Sequence, residues 1–169
     1  MASIKNNDII FITFPALPNP TIVNGTYNID NIGVGPSTSQ SNILSADPYK
    51  IIVNNKDSSY VIHDGDTIQL QRVNDQSGLV WGRFPTLVFP IVFLRKNDSF
   101  ANWKINLVNK TSNILTYGSQ LILIGKDNFS PYCDSSKNIV TSLPTNNVSS
   151  NANMSFLPGS IKKTISEDE

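Results

Sequence analysis

The stretch that most limits what this chain can fold into is residues 60–71, Tyr-Val-Ile-His-Asp-Gly-Asp-Thr-Ile-Gln-Leu-Gln. Asp64-Gly65 between β-formers predicts a two-residue hairpin turn of type I′, which needs positive φ at both central residues. Beyond it Ile68 and Leu70 alternate with Thr67, Gln69 and Gln71, so one face of the strand is apolar and the other polar. The pattern returns near Tyr117-Gly118, with Leu121 and Leu123 in the places of Ile68 and Leu70, and at the start, where Asp8 leads into Ile10 and Ile12. The copies are offset by 58 and then 53 residues. A second marker keeps the same register. Tyr49 with Ile51 and Val53, Trp103 with Ile105 and Leu107, and Met154 with Phe156 follow the three starts at 42, 38 and 36 residues from Asn7, Gly65 and Gly118. Three units of about fifty residues therefore fill the chain.

Within the units the turn chemistry marks short strands. The first unit is expected to hold strands at 9–14 and around Tyr27 and Ile29, a turn at Asn24-Gly25, an aperiodic polar loop over 33–42 and a closing strand at 50–53. The second holds 78–84, then the most apolar run of the chain, Phe84 to Leu94, broken by Pro85 and Pro90, and closes over 101–108. The third holds 113–124, 131–133 and 139–143, an Asn/Ser-rich loop over 144–153, and closes over 154–157. No window sustains an apolar period of 3.6, so little or no helix is expected. Length places one domain over 1–157, with 158–169 as a fraying tail.

Three units of about four short strands suit a closed β structure, which removes exposed strand edges. On the Gly-Asp-x-Ile-x-Leu start at 65–70, its weaker copies at 7–12 and 118–123, and the closing strands at Tyr49, Trp103 and Met154, the chain resembles the β-trefoil superfamily. That is the threefold fold shared by ricin-B-type lectins, fascin-like domains, Kunitz-type inhibitors and fibroblast growth factors. The fold class is thus all-β and β-trefoil-like, with a β-sandwich of jelly-roll type as the alternative.

Composition excludes some functions. Charged residues are 15% of the chain and the formal net charge is zero, which argues against a nucleic-acid binder, whose phosphate contacts need clustered Lys and Arg. No apolar run reaches the roughly 20 residues of a membrane helix, and no signal peptide opens the sequence, so cytosolic synthesis is expected. The excess of Asn (21) and Ile (20), with 10 Lys against 3 Arg, reads as an AT-rich coding sequence, such as that of a large DNA virus, a protist or a low-GC bacterium. Cys133 stands alone, so neither an internal disulfide nor a cysteine zinc site is expected.

Few residues carry chemistry. His63, beside Asp64 and Asp66, reads as a turn residue rather than an acid–base group, and Cys133 as a small buried strand residue rather than a nucleophile. Trp103 reads as core. Trp81, flanked by Gly82 and Arg83, is the better surface platform for a ligand, so Trp81 and Arg83 are the expected ligand-binding residues. Ricin-type lectins carry Gln-x-Trp in their repeats; Leu79 and Ala101 stand at that spacing here, against their galactose mode. Phe84, Leu87, Phe89 and Ile91 form an expected partner surface. No phosphate loop, metal cluster or serine elbow is present, so no cofactor, no metal and no enzyme are expected. The functional expectation is a non-catalytic module recognising a glycan or protein surface through its loops. The alternatives are a structural component of a larger assembly such as a virus particle, or a loop-based protease inhibitor.

Overall fold

The computed structural model describes residues 2–15, 21–27, 33–37, 46–73, 77–84, 90–134 and 139–161. Among these, twelve strands follow in order: β1 (Ile9–Phe14), β2 (Thr21–Tyr27), β3 (Gly33–Ser37), β4 (Tyr49–Ile52), β5 (Thr67–Arg72), β6 (Val80–Arg83), β7 (Ile91–Leu94), β8 (Trp103–Leu107), β9 (Gln120–Ile124), β10 (Phe129–Asp134), β11 (Ile139–Pro144) and β12 (Met154–Pro158). The helical elements described are 3₁₀ turns of three residues.

Six strands close on themselves as an antiparallel barrel in the cycle β1, β4, β5, β8, β9, β12 and back to β1. The threefold register is visible residue by residue. Within units, Ile10 faces Tyr49, Ile68 faces Trp103 and Leu121 faces Met154. Between units, Ile51 faces Leu70, Ile105 faces Leu123 and Phe156 faces Ile12. All twelve of these side chains are buried. Alternation explains this: in a half-buried strand every second residue faces the core, and each large apolar side chain so placed contributes about 1.5–3 kcal/mol. A closed barrel with this connectivity is a β-trefoil and sets the jelly roll aside.

The remaining strands pair as hairpins β2–β3, β6–β7 and β10–β11, which meet through Gly33 opposite Val92 and through a bridge between Pro90 and Thr141. They cap one end of the barrel, and their Val34, Ile91, Cys133 and Val140 join the common core. The other end is closed by a cyclic triangle of backbone bonds. Ile4 N–H donates to the Leu115 carbonyl at 2.9 Å, Leu115 N–H to Ile62 at 2.9 Å, and Ile62 N–H to Ile4 at 3.0 Å. All three side chains are fully buried, and their spacing in sequence repeats the offsets of the strand starts.

Four local expectations are corrected. Asp64-Gly65 does not join two strands in a type I′ turn. Only Gly65 has positive φ (+87°), and Asp66 N–H closes a four-residue turn on His63 at 3.1 Å, the pattern of a type II turn. The preceding residues do not pair with β5; Val61 bridges to Lys5 and His63 to Ile114, because this segment crosses to the neighbouring units. Asn24-Gly25 lies inside β2, where the pairing with β3 shifts register, so it is an irregularity within a strand rather than a turn. Part of the expected 33–42 loop, Gly33–Ser37, is β3; residues 38–42 lie outside the described residues. The last strand also runs one residue past its expected end: Pro158 lies opposite Ile10, and Gly159 N–H donates to Ile9 at 2.9 Å.

Candidate functional site

The residues picked from sequence fall on the core. Trp81 is fully buried in β6, edge-on to Tyr49 at 5.7 Å, so it offers no platform to a ligand. The expectation failed because Gly82 and Arg83 are not surface markers. Gly82 lies against Leu94, and the Arg83 guanidinium is buried between two rings, 4.0 Å from the Phe129 centroid and 5.0 Å from that of Phe100. Arg83 also donates to the Lys126 carbonyl at 3.2 Å and lies 3.5 Å from the solvated Asp127 carboxylate. Desolvation lowers its pKa against the pull of Asp127. Of the expected partner surface, Ile91 is buried and Phe84 is 39% exposed; Leu87 and Phe89 lie outside the described residues. His63 occupies the turn, as read from sequence, and Cys133 is buried in β10.

The structure brings a different group together, at the junctions between units on the triangle side of the barrel. Each junction repeats one backbone frame. Asn7, Gly65 and Gly118 all have positive φ, and their N–H groups donate to Ile51, Ile105 and Phe156 at 2.8, 2.9 and 3.0 Å. In the same frame Asn6 N–H donates to Tyr60, Asp64 N–H to Asn113 and Tyr117 N–H to Ala2. Tyr60, Asn113 and Ala2 are therefore equivalent positions, as are Asp66, Ser119 and Asp8 at the ends of the three turns.

Two junctions are filled by a tyrosine. At the first, the Tyr60 hydroxyl donates to Asp66 Oδ2 at 2.8 Å, its ring lies 5.9 Å from that of His63, and Lys56 Nζ sits 4.8 Å from the ring centroid. At the junction of the third unit with the first, the Tyr117 hydroxyl donates to Asp8 Oδ2 at 3.0 Å. Burial, then the Asp8 bond, pushes the Tyr117 phenol up to about 12. At the second junction the equivalent residues are Asn113 and Ser119, and the Ser119 hydroxyl pairs with that of Thr116.

There the surface opens into a cleft of about 460 Å³ lined by residues of the 107–120 connection. Leu107, Val108 and Ile114 give it apolar walls; Asn109, Lys110, Thr116, Ser119 and Gln120 give it hydroxyl, amide and ammonium groups. Asp64 fixes one rim. Its Oδ1 accepts from Leu107 N–H at 2.9 Å and its Oδ2 from Lys110 Nζ at 2.8 Å. These bonds, the lysine first, hold the Asp64 carboxyl below the usual range. Asn109, with φ +52°, turns the chain so that Lys110 faces back to Asp64, as Asn55, with φ +65°, turns it before Lys56. Asparagine suits both places because it tolerates the left-handed region better than most residues.

Sequence reading missed this cleft, although its signal was present. Aligning the three turns by their register sets Asn113 against Tyr60 and Ser119 against Asp66, two smaller side chains at one junction.

The barrel, its capping hairpins and this junction define a β-trefoil. No protein-family model matches the sequence. Among solved structures, the chain is similar to the SDF2-like protein from Arabidopsis thaliana (TM-score 0.68, 9% identity, covering 95% of this chain and 98% of that one). It is similar also to a Caenorhabditis elegans protein of unknown function (0.67, 10%, covering 91% and 95%) and to type II water-soluble Chl binding proteins (0.66, 11%, covering 93% and 94%). At such identities the likeness is one of fold. In sequence it is similar to an uncharacterized protein of Acanthamoeba polyphaga mimivirus, 29% identical over an alignment of 137 residues that covers 71% of this chain. The match spans 36% of that relative's length.

Proposed function

We propose that this β-trefoil is a non-catalytic binding module that recognises a glycan or protein surface through the cleft at its second unit junction. The observation that carries this reading is the lining of the 107–120 cleft. Its volume falls in the range of ligand sites, and apolar walls with a few converging polar groups are what such sites use. Its lining is also short of proton-transfer groups: Lys110 is its one ionisable side chain, and Asp64 already holds that ammonium.

A screen of the purified protein on a glycan array, paired with the Thr111→Trp variant that obstructs the cleft, tests this. Specific binding that disappears in the variant supports the reading. Binding that survives removes the cleft from it, and a blank array turns attention to protein partners.

A second reading, a structural component of an assembly such as a virus particle, is favoured by the mimivirus source of the relative and by that relative's much greater length. Mass spectrometry of purified particles for this chain tests it; absence from particles at the sensitivity of known components would count against it.

A further inference from the structure

We propose that the second-junction cleft receives the phenol side chain of a tyrosine presented by a protein partner, in the place where the other two junctions seat a tyrosine of their own. This rests on the cleft being the binding site and names the chemistry that it takes.

The argument is one of equivalent positions in a threefold frame. At the first junction the Tyr60 ring touches three things: the turn residue His63, the turn carboxylate Asp66, and Lys56 from the preceding loop. The counterparts of the first two, Thr116 and Ser119, line the cleft, and so does Lys110, which like Lys56 follows a left-handed asparagine. What the second junction lacks is the ring itself, because Asn113 stands where Tyr60 stands. The backbone that shapes the seat is unchanged: Asp64 N–H meets the Asn113 carbonyl at 2.7 Å, as Asn6 N–H meets the Tyr60 carbonyl at 2.9 Å. At the third junction the ring arrives from a different position, Tyr117, yet its hydroxyl ends on the same turn residue, Asp8. The frame thus accepts a phenol from two directions, and the feature common to both is a hydroxyl reaching the last residue of the turn. In the open junction that acceptor is the Ser119 Oγ, with Thr116 Oγ1 beside it. Ile114, 40% exposed, and Leu107 supply apolar surface for a ring.

The test is an amide NMR titration of the full chain with N-acetyl-L-tyrosinamide, N-acetyl-L-phenylalaninamide, methyl glucoside and methyl galactoside. Tyrosinamide is expected to shift the amides of Thr116, Ser119 and Gln120. Phenylalaninamide, lacking the hydroxyl, should bind roughly three- to tenfold more weakly, the worth of one hydrogen bond. The double variant Asn113→Tyr with Ser119→Asp rebuilds the seated tyrosine within the chain and should abolish the shifts. Should that variant fail to fold, Ser119→Ala serves instead, lowering tyrosinamide affinity to that of phenylalaninamide. Equal binding of the two ring compounds, or shifts confined to other residues, overturns the assignment. Glycosides shifting these amides while tyrosinamide does not would overturn the phenol and leave the binding module standing. Silence from every probe overturns the phenol assignment, whatever the glycan array reads.

Discussion

The Trp103 indole N–H donates to the backbone carbonyl of Trp81 at 3.1 Å, tying the closing strand of the second unit to its capping hairpin through two fully packed rings. This bond turns Trp81 from a ligand platform into a structural member. Trp81→Ala is expected to cost about 3–5 kcal/mol, as truncation of a large core aromatic does. Urea unfolding checks it. A loss below about 1 kcal/mol would contradict the burial of this ring.

The same bond makes Gly125 intolerant of a side chain. A Cβ there would lie 2.6 Å from Trp103 Cζ3, and the ring cannot retreat without giving up its bond to Trp81. Gly125→Ala is expected to destabilise by about 1–3 kcal/mol, the usual range for overpacking. Trp103→Phe, which leaves a smaller ring, should relieve part of that cost in the double variant, as a double-mutant cycle would show.

Ile4 closes the barrel floor, though it sits only a few residues into the sequence. Ile4→Ala should cost about 2–5 kcal/mol, comparable with Ile62→Ala and Leu115→Ala, since all three occupy equivalent places in one triangle. Denaturation midpoints of the three variants check this. A loss for Ile4→Ala far smaller than for the other two would show that the first side of the triangle is not formed in solution.

The seated tyrosines predict alkaline sensitivity. The Tyr117 phenol titrates at about 12 in the folded chain and at about 10 when unfolded. Between those values the unfolded chain has lost the proton and the native chain still holds it, so stability falls as pH rises. The contribution is fully present below about pH 10 and disappears as pH passes through about 12. Tyr60 moves in the same direction, chiefly through its bond to Asp66. Urea midpoints measured across that window should decline, and less steeply in Tyr117→Phe. An unchanged slope in the variant would sink this account.

Arg83 and Asp127 should respond unequally. Asp127 is 62% exposed at its side chain, so Asp127→Asn is expected to cost no more than about 1 kcal/mol. Arg83→Ala removes a buried guanidinium from between two rings and should cost more, about 2 kcal/mol or above. Equal losses by thermal denaturation would show that the ion pair, and not the stacking, holds this corner.

Much of the architecture was legible in the sequence because it is written twice in each unit. The starts at Ile10, Ile68 and Leu121 and the closings at Tyr49, Trp103 and Met154 are paired partners in the barrel, so matching spacing of the two markers reported a real contact. Less was legible where a residue type has two uses. Asp-Gly serves a type II turn as readily as a hairpin when the flanking strand pairs elsewhere, and Asn-Gly in β2 marks an irregularity in a strand. The site was less legible still. Trp81 beside Gly82 and Arg83 has the composition of a surface platform, but Gly82 is needed for close packing on Leu94 and Arg83 for stacking on Phe129. The cleft is defined by what is missing at Asn113 and Ser119, and only comparison with Tyr60 and Asp66 reveals it.

The seam between β12 and β1 is bonded in the same register as the seams between β4 and β5 and between β8 and β9. The barrel is therefore a ring closed by three equivalent seams, each joining one unit to the next. A circularly permuted chain, joined across that seam and cut in the exposed loop at 54–58, would keep every strand neighbour and the whole floor triangle. It would also detach the Lys56 loop from Tyr60 and leave the empty second junction unchanged, separating what the ring needs for its shape from what one junction holds in reserve.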